Sequence, residues 1–140
     1  MLQRSAVKRD DKWLLSRLDY LWTSYFPDVV QDNQVYIKFG RYSKYRLGSI
    51  KQSRKNRASL ITITGMFKDE SIPSSVVDHT IAHELVHYTH GFSSTKPKLH
   101  KYPHAGRVVD NEMTKRGLGV LVQSYKIWVK QYRDELTRDR

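Results

Sequence analysis

The chain contains no cysteine. Disulfides, thiolate nucleophiles and Cys-ligated zinc are therefore excluded, and any transition metal must be held by His, Asp or Glu. Long apolar runs are also missing: nothing approaches the ~20 residues of a membrane-spanning helix. The opening Met1-Leu2-Gln3-Arg4-Ser5-Ala6-Val7-Lys8-Arg9-Asp10 lacks the apolar centre of a secretory signal. The expectation is an intracellular, soluble protein of the cytoplasm, nucleoid or nucleus, not secreted and with no membrane partner. There is no internal repeat, low-complexity tract or interdomain linker. A length of 140 residues suits a single domain (1–140) with one core. Residues 1–10 are expected to be disordered ahead of it, and a monomer is the expected state.

Acidic residues are scarce, 14 against 25 Lys and Arg, for a formal charge of +11. The scarcity is local. Between Val35 and Lys68 there is no carboxylate at all, while Lys38, Arg41, Lys44, Arg46, Lys51, Arg54, Lys55, Arg57 and Lys68 are interspersed with Tyr36, Tyr42 and Tyr45. Cations that neutralise phosphates, dotted with rings able to stack on bases, point to a nucleic-acid surface, DNA in particular. The blander reading of the same pattern is a solvated face that serves only solubility.

The segment that carries chemistry is His83-Glu84-Leu85-Val86-His87. Histidines four apart stand on one face of a helix, one turn from each other, so both imidazoles reach one metal ion. Glu84, next to the first histidine, is placed to act as a general base without being a ligand. Ser71-Ile72-Pro73-Ser74-Ser75 predicts a helix start with serines available to cap it. That helix runs to about His90 and is stopped by Gly91, so the motif falls in mid-helix.

Catalytic zinc usually takes three protein ligands. His90 lies seven residues beyond His83 on the same helix, about 10 Å along its axis, too far for both to share an ion. A metzincin site wants glycine where His90 stands. His79, one turn before His83, suits a surface or supporting place better. His100, His104 and Glu112 remain. His104 follows Pro103 and opens a predicted helix over 104–116; Glu112, 25 residues past His87, would suit a gluzincin-like site. Spacing does not separate these candidates.

Elsewhere the patterns predict an α+β fold. A first helix over Asp11–Phe26 carries Trp13, Leu14, Leu18, Leu21, Trp22 and Tyr25 at helical spacing. Three strands follow: Gln34–Phe39 with Val35, Ile37 and Phe39 alternating, a weaker Arg46–Ile50, and the β-branched Leu60–Thr64. The links between them are too short for helical crossovers, which predicts an antiparallel sheet. A final amphipathic helix carries Leu121, Val122, Tyr125, Trp128, Val129, Tyr132 and Leu136.

From Leu18 to Leu118 these features resemble the SprT-like zinc metallopeptidases, a family that includes the Spartan group. The likeness rests on the helix ending in Tyr25-Phe26, the strand Val35-Tyr36-Ile37, the Leu47-Gly48 element, the strand ending at Thr64, the stretch Pro73 to His87 and Pro103-His104. The resemblance implies a zincin-like fold, Zn2+ held by His83, His87 and His104, Glu84 as general base, and proteolysis near DNA, in some members of proteins crosslinked to it. The chain departs from the family pattern after the third histidine, where Ala105 precedes Gly106 and Val108 replaces an aromatic. Cys-based extensions are absent, so the likeness is to a bare catalytic domain. Two rivals stand beside a peptidase. One is a non-catalytic nucleic-acid-binding protein whose structural metal would need a fourth ligand such as His100. The other is a zinc hydrolase of a different amide bond.

Overall fold

The first helix, α1 (Asp11–Tyr25), begins where Asp10 accepts a hydrogen bond from the Trp13 amide at 2.9 Å, the side-chain cap that satisfies an otherwise orphaned N–H. Its apolar stripe of Leu14, Leu18 and Leu21 is buried. The computed structural model describes residues 8–138. Of the first ten residues, expected to be disordered, Arg9 donates to the carbonyls of Phe67, Asp69 and Ile72 at 2.7–3.0 Å. Residues 9–10 are thus part of the fold, and residues 1–7 lie outside the described ones.

Three strands follow, β1 (Val35–Phe39), β2 (Gly48–Gln52) and β3 (Ser59–Ile63), in the order β1-β3-β2. The predicted antiparallel sheet is corrected to a mixed one: β2 pairs antiparallel with β3, whereas β1 pairs parallel with it. No helical crossover is needed because β2 is itself the return path. The chain leaves β1, runs to the far edge as β2, and hairpins back into the centre as β3. Ile37, Phe39, Ile61 and Ile63 are buried beneath the helices, while Tyr36 and Lys38 alternate to the exposed face.

A short 3₁₀ turn (Gly65–Lys68) leads to α2 (Ser74–Thr89), then α3 (Val108–Lys115) and α4 (Gly119–Arg138). The predicted serine cap of α2 is not used: Pro73 occupies the cap position and no side chain caps the helix. Its end is as expected, with His90 and then Gly91 at φ +86°. Helix α3 starts four residues later than predicted. Gly106 stands at φ +60°, a left-handed backbone that no α-helix can pass through, so His104 belongs to the irregular segment before α3.

α2 packs against the sheet, α1, α3 and α4. It is buried from Val76 to Tyr88 apart from His83. A helix this enclosed cannot show a polar face, so its polar residues require explanation one by one. Asp78 accepts both Arg17 Nε and Nη2 at 2.9 and 2.7 Å. The Thr80 hydroxyl donates to the Val76 carbonyl. His79, Glu84, His87 and His90 each keep a buried polar atom without a hydrogen-bond partner among the described residues.

Candidate metal centre

His83 and His87 project from the same side of α2, and the 104 segment folds back over them. His104 Nε2 sits 3.2 Å from His83 Nε2 and 3.0 Å from His87 Nε2. One nitrogen from each of the three lies within 4.8 Å of the others. Nitrogens at ~2.0–2.1 Å from a tetrahedral ion would be ~3.3 Å apart, close to the observed edges. Hydrogen bonding alone does not account for the cluster. Both short contacts fall on His104 Nε2, which in a neutral imidazole holds either one N–H or one lone pair, so it makes a full hydrogen bond to only one of its two neighbours. A cation in the centre meets all three lone pairs, and the residues present fit a metal ion.

Electrostatics favour the same use. Burial lowers His83 to about 4 and His87 to about 3, with the neighbouring histidines adding to the effect. Both are therefore neutral near pH 7, the form that ligates. Burial also raises the Glu84 carboxyl to about 7, opposed by the positive field of Arg46. A carboxylate that titrates near neutrality is matched to proton transfer.

The other candidates are placed elsewhere. His100 packs against His90 with ring centroids 4.5 Å apart. Glu112 holds Arg116 Nε at 2.8 Å and faces His90 at 3.4 Å. His79 stacks on Tyr125 at 3.8 Å between centroids. Two further carboxylates are also engaged elsewhere: Asp78 pairs with Arg17 and Asp110 with Lys126. Spacing could not choose the third nitrogen; the fold brings His104 to the pair and leaves His100 and Glu112 aside.

The site opens into a cleft of about 990 Å³. One wall is the free edge of β2 with the segment Lys44–Leu47 before it; the other is α4. Gly48 makes the approach of β2 to α2 feasible, since a Cβ there would come within 2.6 Å of Thr80 Cγ2 and 3.7 Å of Glu84 Cγ. The "LG" pair noted in the sequence is thus where the edge strand meets the helix carrying the base. The α4 wall was legible in sequence only as an apolar stripe. Its polar members Lys126 and Arg133 were missed because helical periodicity marks which face is inward, not what that face opens upon.

Eight of the nine cations read as a nucleic-acid surface lie on the sheet or in its connections. Lys44 and Arg46 line the cleft. Lys38 is on the exposed side of β1, Lys51 is exposed on β2, and Arg41 lies in the β1–β2 connection. Arg54, Lys55 and Arg57 are at the tip of the β2–β3 hairpin.

His79 carries a pH-dependent stability. Burial lowers its pKa to about 4 against ~6.5 in an unfolded chain. The unfolded state binds the extra proton between those values, so stability is present above pH ~6.5 and declines toward pH 4. In metal-free protein, His79→Phe keeps a ring against Tyr125 and removes that titration. Urea unfolding from pH 7 to 4 is expected to give a shallower loss than wild type; an unchanged slope would contradict this origin.

Compared with protein-family models, curated proteins and solved structures, the chain shows no match. Among the described residues no helix is long and apolar enough to cross a membrane.

Proposed function

We propose that the protein is a zinc-dependent metallopeptidase of SprT-like type with a zincin-like active site, acting on DNA-associated or DNA-crosslinked proteins. The observation that carries this reading is the convergence of the His83, His87 and His104 Nε2 atoms beside buried Glu84, at the floor of an open cleft. Zinc held there would supply a Lewis acid that polarises a peptide carbonyl and brings the pKa of water toward ~7. Glu84 takes the proton of the attacking water and delivers it to the leaving amine as the C–N bond breaks and the C–O bond forms. His83 and His87, kept neutral by burial, stay available as donors through the cycle.

A closed structural site would need a fourth protein ligand. Among the described residues the group consists of three histidines, and His100, the candidate fourth, packs against His90. A cleft of about 990 Å³ open between β2 and α4 suits an extended chain better than a small amide. Lys38, Arg41, Lys51, Arg54, Lys55 and Arg57 stand outside the cleft and in this reading hold DNA beside it.

The test is hydrolysis of an unfolded protein by zinc-loaded enzyme, with and without DNA, read by mass spectrometry of the products. Cleavage that stops on chelation and returns with zinc is expected. Zinc-loaded protein that cuts no peptide bond under either condition would refute the reading.

A further inference from the structure

We propose that the cleft selects peptide segments bearing acidic side chains close to the scissile bond. This rests on the peptidase reading for the bond cleaved and adds the class of substrate that the cleft admits.

Both walls are cationic. On the strand side, Lys44 and Arg46 flank the approach to β2. Their segment is pinned to the opposite wall, because the Tyr132 hydroxyl donates to the Lys44 carbonyl at 2.6 Å. On the helix side, Val122, Lys126, Val129 and Arg133 line the cleft, at the four- and three-residue steps of a single helical stripe. Four cations therefore face the same groove from two elements whose separation is held by a hydrogen bond.

Little opposes them. The carboxylates lining the cleft are Glu84, assigned above to proton transfer, and Asp110. Asp110 lies 3.8 Å from Lys126 in an exposed pair, a contact that solvent screens heavily. Among the described residues Lys44, Arg46 and Arg133 make no ion pair. Like charges on facing walls of one groove sum to a positive potential that concentrates anionic ligands and repels cationic ones. Lys126 and Arg133 are seven residues apart, about 10 Å along α4. An extended peptide rises ~3.3 Å per residue, so acidic side chains two to four positions apart meet both.

A nucleic-acid strand is the other polyanion to consider, but it draws much of its affinity from stacking on aromatic faces. The cleft tyrosines of α4 are already engaged within the protein: Tyr125 stacks on His79 at 3.8 Å and Tyr132 on Trp128 at 4.8 Å. On the strand side Tyr45 is the exposed ring, a single face where successive bases would each need one. An acidic peptide needs only the charges, which the cleft supplies.

The experiment uses fluorescein-labelled decapeptides that share a central apolar pair and differ in flanks of Asp and Glu, Gln and Asn, or Lys. Binding to zinc-loaded Glu84→Gln protein is read by fluorescence anisotropy, and kcat/KM is measured on wild type. The acidic peptide is expected to bind on the order of 10-fold or more tighter than the basic one, with the gap closing at high salt. In Lys44→Gln/Arg133→Gln, both residues being exposed, that gap is expected to shrink to about 3-fold, since two of the four cations remain, with an unchanged thermal midpoint certifying the fold. Equal binding of the three peptides, or preference for the basic one, overturns the proposal. So does a single-stranded oligonucleotide that displaces the acidic peptide at lower concentration than unlabelled peptide and loses that advantage in the double variant. Acid-selective binding with no cleavage by zinc-loaded wild type, in the presence or absence of DNA, would sustain the charge selection and sink the peptidase reading.

Discussion

Glu84→Gln is expected to slow peptide hydrolysis by ~10²- to 10⁴-fold, the usual contribution of a positioned acid–base group, while zinc remains bound. The substitution preserves shape and removes only the capacity to accept a proton. Glu84 is not among the three clustered donors, so the metal stoichiometry of the variant should equal that of wild type. Its folding should not suffer. The wild-type carboxyl is raised to about 7 by burial, so the folded state holds a proton that the unfolded chain releases above pH ~4.5. The ionised form is disfavoured in the fold, and a neutral amide is free of that cost above neutrality. The measurements are kcat/KM on the protein substrate, zinc content by atomic emission, and urea unfolding at pH 8. A variant that retains zinc and cleaves at the wild-type rate would remove Glu84 from the mechanism.

His104→Ala is expected to weaken zinc binding by ~10²- to 10³-fold. Structural zinc sites are worth ~10–16 kcal/mol over four ligands, so one imidazole carries roughly 3–4 kcal/mol. The side chain is exposed and its segment precedes α3, so the metal-free variant should unfold at the same urea concentration as metal-free wild type. The loss should appear only with metal present: zinc raises the stability of wild type through its preferential binding to the folded state, and most of that increment should vanish. Competition with a chromogenic chelator gives the affinity directly. If affinity falls by less than threefold, another group completes the site, and Glu112→Ala and His100→Ala would identify it.

Local regularities were readable before any contact was known. The four-residue step from His83 to His87 sets both rings on one side of a helix by pitch alone, and the alternation of Val35, Ile37 and Phe39 marks which side of β1 is buried. Pro73 and Gly91 bracket α2 for backbone reasons that need no partner. The sheet was misread because short connections exclude helical crossovers but not a crossover made by a strand. The helix over 104–116 was placed too early because one glycine with positive φ carries no periodic signal.

What the sequence determined by itself is therefore chemical and short-range: a cysteine-free chain, two histidines and a carboxylate on one helix, and an excess of cations with no carboxylate from Val35 to Lys68. Only the tertiary structure decided that His104, not His100 or Glu112, joins the pair, and that Lys44 and Arg46 face Lys126 and Arg133 across one cleft. The physical reason is the range of the forces involved. Helix pitch and strand pleat are set by neighbouring residues, whereas the partner of a side chain 17 or 21 positions away depends on how loops close and which apolar faces bury together, and no local pattern records that.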